Sequence, residues 1–66
     1  MRSVVYAGTG EVLESEATRG FGVGDEYDCA WVNHGSNPKA WYRFEVVEVL
    51  ADTVVVDNPI YQGSLG

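Results

Sequence analysis

The chain is short of nearly everything that small domains use to staple themselves together. Its 66 residues include one cysteine, Cys29, and one histidine, His34. A lone cysteine closes no intramolecular disulfide. One Cys and one His also fall short of the four ligands of a closed zinc site. A domain of this size buries only about 60% of the surface its unfolded chain exposes, and many such domains add a disulfide or a metal. Here stability is expected to rest on apolar packing, with a partner or a second copy as the remaining source. No metal or cofactor is expected.

Basic residues are scarce too. Four Lys and Arg face ten Asp and Glu, for a net charge of −6. Nucleic-acid binders draw affinity from clustered Lys and Arg, and anionic membranes attract the same residues. Neither direct nucleic-acid binding nor membrane attachment is therefore expected. A basic protein surface is the partner that the charge favours, although the same charge also keeps a small domain in solution. Long apolar runs are missing as well. Val4 to Ala7 is too short for a secretory h-region and far too short to span a bilayer. With a single cysteine, which fits a reducing compartment, a cytoplasmic location is expected.

What the chain does have is aromatic and β-branched residues in strand-like runs. Two Trp, four Tyr and two Phe supply a core. Ser3 to Ala7 reads as a strand closed by the turn Gly8-Thr9-Gly10. Residues 10–19 read two ways. As a strand they pair back on the first one; as a short helix they run from a cap near Thr9 to a stop at Arg19-Gly20. The strand is preferred, because a helix would bury only Val12, Leu13 and Ala17. Tyr27 to Asn33 alternates, with Tyr27, Cys29 and Trp31 on one face. His34 to Lys39 is a turn cluster. Ala40 to Leu50 is a long strand whose apolar phase runs through Tyr42, Phe44 and Val46 and then shifts to Val47 and Val49. Such a shift is the mark of a β-bulge. Ala51-Asp52 joins it to a strand in which Val49 faces Val54, Val47 faces Val56, and Glu48 meets Val55. Asn58-Pro59 should end that strand, Ile60 and Tyr61 should fold back as a lid, and 62–66 should be a tail. The expected fold is mostly β, or α+β if residues 10–19 are helical: one domain over 1–66, built as an antiparallel sheet or an SH3-like barrel of four to five short strands.

The pair Phe44 to Val49 and Thr53 to Pro59 resembles the flap region of bacterial FKBP-type prolyl isomerases. The resemblance covers that hairpin alone. The expected continuation after Asp57 is broken, so it implies no isomerase activity.

Catalytic patterns are weak. The three glycines of Gly20 to Gly24 suggest a phosphate cradle, but no Lys-Ser/Thr follows and Asp25-Glu26 would repel phosphate. Cys29 and His34 on one strand would point to opposite faces, which argues against a nucleophile–base pair. An enzyme is not expected. Binding features are stronger. Trp41, Arg43 and Glu45 share the face opposite Tyr42, Phe44 and Val46, and Trp, Tyr and Arg are the residues most enriched at binding hot spots. Trp41 can serve either as anchor or as core. Carboxylates gather at Glu11, Glu14 and Glu16 and again at Asp25, Glu26 and Asp28, with Glu14 and Glu16 projecting together if the segment is a strand. The expected function is a non-enzymatic domain that meets a basic protein surface through Glu11, Glu14, Glu16, Asp25 and Glu26, with Trp41 and Arg43 as anchors. Its sharper form is a phage- or mobile-element-encoded inhibitor that blocks a nucleic-acid-binding host protein, similar to anti-CRISPR proteins in size and charge alone. The alternative is a structural or assembly module of a homo-oligomer or a larger complex.

Overall fold

Runs of valine and aromatic residues set five strands: β1 (Arg2–Tyr6), β2 (Val12–Ala17), β3 (Glu26–Trp31), β4 (Ala40–Val49) and β5 (Thr53–Ser64). The structure is a computed structural model that describes residues 2–31 and 40–64. The turn cluster read from His34 to Lys39 lies outside the described residues, as do Leu65 and Gly66. The fold is mostly β, and residues 12–17 form the strand rather than the helix. No helix among the described residues is long and apolar enough to cross a membrane.

The strands make one sheet in the order β2-β1-β5-β4-β3, curled into a half-barrel. Three neighbouring pairs are antiparallel, as expected. The fourth is not: β1 runs parallel to β5, with Val4 beside Val54 and Tyr6 beside Val56. The sheet is therefore mixed, and β5 sits at its centre. Parallel neighbours need a long connection, and here β2, β3 and β4 supply it.

The core lies on the concave face. Val4, Phe44, Val46, Val54 and Val56 are fully buried, with Tyr27, Trp31 and Ala17 close behind. Tyr6 packs edge-on against Trp31 at 5.3 Å and against Phe44 at 5.7 Å between ring centres. Trp31 meets Tyr42 at 5.1 Å. Such edge-to-face pairs add to the area they bury. Tyr6 reaches this position because the chain turns beneath it at Gly8. A Cβ on Gly8 would lie 2.6 Å from the Tyr6 ring.

Bulges produce the curl. Glu48 pairs with Val55 and Val49 with Val54, in the expected register, but Val56 pairs with Val46 rather than Val47. Val47 is the extra residue, and it is 39% exposed. The phase shift read in β4 is this bulge. A second irregularity corrects the expectation that Asn58-Pro59 stops the chain. The register passes from Glu45–Asp57 to Arg43–Ile60, so β5 bulges there and continues. Asn58 takes φ 55°, a left-handed value that Asn tolerates better than most residues, and proline is admitted to sheets at bulges. Ile60 and Tyr61 are strand residues, both exposed, and not a lid. Likewise Gly63 pairs with Trp41 and Ser64 with Ala40, so the expected tail is paired as far as Ser64. Extra residues bend a strand and raise its twist, which a flat sheet needs if it is to curl.

The bulge makes Val47 and Val54 a discriminating pair. Val54→Asp should unfold the domain, since an unpaired buried charge costs several kcal/mol against a total of roughly 3–5 kcal/mol for a scaffold of this size. Val47→Asp should stay within about 0.5 kcal/mol of wild type. Urea denaturation followed by circular dichroism separates the two. A cooperative, folded Val54→Asp protein would show that the register is wrong.

Candidate functional site

Strand parity sorts the candidate residues. On β3, Glu26, Asp28 and Ala30 point away from the core; on β4, Trp41, Arg43 and Glu45 do the same. The register sets them opposite one another as Glu26–Glu45, Asp28–Arg43 and Ala30–Trp41. On the other side of β4, Ile60 lies beside Arg43 and Gly63 beside Trp41. The convex face of β3, β4 and β5 thus carries one continuous patch. Trp41 is 45% exposed and Ile60 59% exposed, so Trp41 is not part of the core.

Arg43 organises the carboxylates around it. Its Nε and Nη2 donate to the two oxygens of Asp28 at 2.9 and 3.2 Å, and Nη1 lies 3.5 Å from Glu26. The guanidinium beside Asp28 holds that carboxyl below its ordinary value of 3.8. Glu45 accepts a hydrogen bond from Asn58 Nδ2 at 3.1 Å. Glu26, Arg43, Phe44, Glu45, Asn58, Ile60 and Gly24 line a shallow hollow of about 270 Å³. Among the described residues, three carboxylates face one guanidinium on this patch. Arg2 and Arg19 line a separate hollow with Ala17, Thr18 and Gly20.

No family model, curated protein or solved structure matches this chain.

The other expected site residues lie elsewhere. Glu11 is in the turn from β1 to β2, where its carbonyl accepts from Tyr6 N–H at 2.9 Å. Asp25 accepts from Gly22 N–H at 2.8 Å and so braces its own loop. Glu14 and Glu16 do not act as a matched pair. Two register shifts in the β1–β2 ladder break the alternation, leaving Glu16 exposed and turning Glu14 toward β3. There Glu14 accepts from Tyr27 Oη at 2.8 Å and from both terminal nitrogens of Arg19, at 3.0 and 3.2 Å. The Arg19 guanidinium also lies over the rings of Phe21 and Tyr27, 5.1 and 5.4 Å from their centres. This is a clasp between the two edges of the half-barrel. Of the seven expected residues, Glu26, Trp41 and Arg43 therefore come together, joined by Asp28, Glu45 and Ile60.

Cys29 is half-buried on the concave side, against the core but not sealed within it. Burial, and then the nearby Asp28 carboxylate, push its thiol from 9.0 up to about 11. The pairing of Cys29 with His34 falls outside the described residues. Among the described residues, no three His, Cys, Asp or Glu side chains gather as metal ligands.

Two measurements follow from these shifts. Hydrogen bonds from Arg19, then from Tyr27, hold the Glu14 carboxyl below its ordinary 4.5. A depressed carboxylate stabilises the fold fully above its unfolded value, and that contribution is lost as pH falls through the folded one. The melting temperature of wild type should therefore drop further than that of Glu14→Gln between pH 7 and pH 3; equal drops would show that the clasp contributes nothing. Separately, the raised thiol pKa lowers the thiolate fraction at pH 8 roughly a hundredfold. Cys29 in the native protein should react slowly with a thiol reagent and rapidly in urea, and fast native labelling would contradict the packing.

Proposed function

We propose that the chain is a non-enzymatic protein-binding domain whose convex face, built on β3, β4 and β5, docks on a basic protein surface. The observation that carries this reading is Trp41. It stands half-exposed on β4 and shares its face with Arg43, Ile60, Glu26, Asp28 and Glu45. Exposed tryptophan beside arginine is the usual composition of an interface hot spot. A rim of carboxylates speeds the approach of a basic partner and makes it salt-dependent. In its sharper form the domain is an inhibitor, phage- or mobile-element-encoded, that occupies the groove where a host protein would hold nucleic acid.

The two parts of the patch should separate kinetically. Glu26→Lys with Glu45→Lys should slow association at low salt and leave the fold intact. Trp41→Ala should mainly speed dissociation, by about 2 kcal/mol, or roughly thirtyfold. Both are read by surface plasmon resonance on a partner captured from lysate at low salt and released at high salt. If the charge-reversed protein associates as fast as wild type, the electrostatic part is wrong. If sedimentation shows salt-insensitive self-association and no capture, the assembly-module reading replaces this one.

A further inference from the structure

The two edges of the half-barrel are not alike. A bare edge presents unpaired N–H and C=O groups and is a template for another strand. β2 is blunted: two register shifts interrupt it, and the Glu14–Arg19 clasp occupies its side. β3 meets the clasp only through the Tyr27 side chain, on the concave side. Its ladder to β4 runs unbroken from Glu26 to Trp31, and it contains neither proline nor lysine. Among the described residues no strand pairs along its other side.

Parity shows which groups that edge offers. Val46 N–H donates to the Asp25 carbonyl at 2.9 Å. In an antiparallel ladder alternate residues turn their backbone groups to the partner, so Tyr27, Cys29 and Trp31 face β4. The N–H and C=O groups of Glu26, Asp28 and Ala30 face outward, and their side chains lie on the same convex face as Trp41. An added strand would set its own side chains opposite Glu26 and Asp28, at the cross-strand spacing of about 5.5 Å. Like charges directly opposite are destabilising and unlike charges stabilising. A second copy paired about Asp28 would oppose aspartate to aspartate. A lysine- or arginine-bearing strand would meet carboxylates at alternate positions.

We propose that the free edge of β3 takes an extended basic segment of a partner protein as an added strand, selected by Glu26 and Asp28. This rests on the basic-partner reading above and gives that partner a shape: main-chain hydrogen bonds supply affinity and alternate side chains supply specificity, as in other strand additions.

The probes are three short synthetic peptides: alternating lysine and valine, the same peptide N-methylated at alternate backbone nitrogens, and alternating glutamate and valine. The lysine peptide should bind the full chain and slow hydrogen exchange at the amides of Asp28 and Ala30. N-methylation keeps every charge but removes the donors of one edge, and should weaken binding about tenfold or more, since the inter-strand hydrogen bonds those donors make are lost. Ala30→Pro should weaken the lysine peptide similarly, and the N-methylated peptide on wild type decides the matter if that variant fails to fold. Equal binding of the two lysine peptides would overturn the added strand while leaving the basic-partner reading standing. Equal binding of the glutamate peptide would overturn selection by Glu26 and Asp28. Binding by none of them would also overturn the proposal, and the basic-partner reading is then decided by the salt dependence of the Glu26→Lys, Glu45→Lys protein.

Discussion

The pairing of β1 with β5 is the constraint on which the rest of the molecule depends. It places Val4 against Val54 and links the β1–β2 hairpin to the β3–β4–β5 meander. Ser3 N–H donates to the Asp52 carbonyl at 3.0 Å and Ala7 N–H to the Val56 carbonyl at 2.8 Å, which extends the ladder at both ends. Without it, Val4, Val54 and Val56 would lose their common burial, and Tyr6 would lose its place against Trp31 and Phe44. A lone two-stranded hairpin is at best marginally stable in water, so β1 and β2 hold their shape because β5 holds β1. The chain thereby builds its core without an intramolecular disulfide, which a single cysteine cannot close.

Curvature follows from the same arrangement. A five-stranded flat sheet could cover Phe44 on one face only from the side chains beside it. The bulges at Val47 and Asn58 bend β4 and β5 until β2 approaches β3, and Glu14 then reaches Tyr27 and Arg19. Burial, then the bond to the Glu14 carboxylate, holds the Tyr27 phenol far above its usual range, so that hydroxyl stays a donor at any physiological pH. The clasp spans the concavity from β2 to β3 and spends the Glu14 carboxylate on structure.

Strand identity was legible wherever polarity alternates. Tyr27, Cys29 and Trp31 against Asp28 and Ala30 announce a half-buried strand, and the same parity put Trp41, Arg43 and Glu45 on one face. Parity could not choose between Val46 and Val47. Both are valines, so the residue that a bulge ejects leaves no trace in composition. Asn58-Pro59 misled for a related reason: the two residues that commonly end a strand are also ones that a bulge accepts. The parallel β1–β5 pair had no local signature at all, because the partners meet only through the rest of the chain. Glu14 was assigned to an acidic surface because its neighbours in sequence are acidic. Its neighbours in space are Arg19 and Tyr27, and only the curl reveals them. Asp28, Glu45 and Ile60 were within reach of the register argument, but Ile60 required β5 to continue past Pro59.

The β1–β5 pair also has a consequence for synthesis. Val4 leaves the ribosome fifty positions ahead of Val54, and at ordinary rates of translation that separation lasts roughly 3–10 s. During that interval the nascent hairpin has one side bare; Trp31 and Phe44 are made before Val54, but the strand that carries Tyr6 to them is not yet there. The core cannot close stepwise from the N-terminus; it must wait for its central strand. A pause in translation before Thr53 would lengthen that interval.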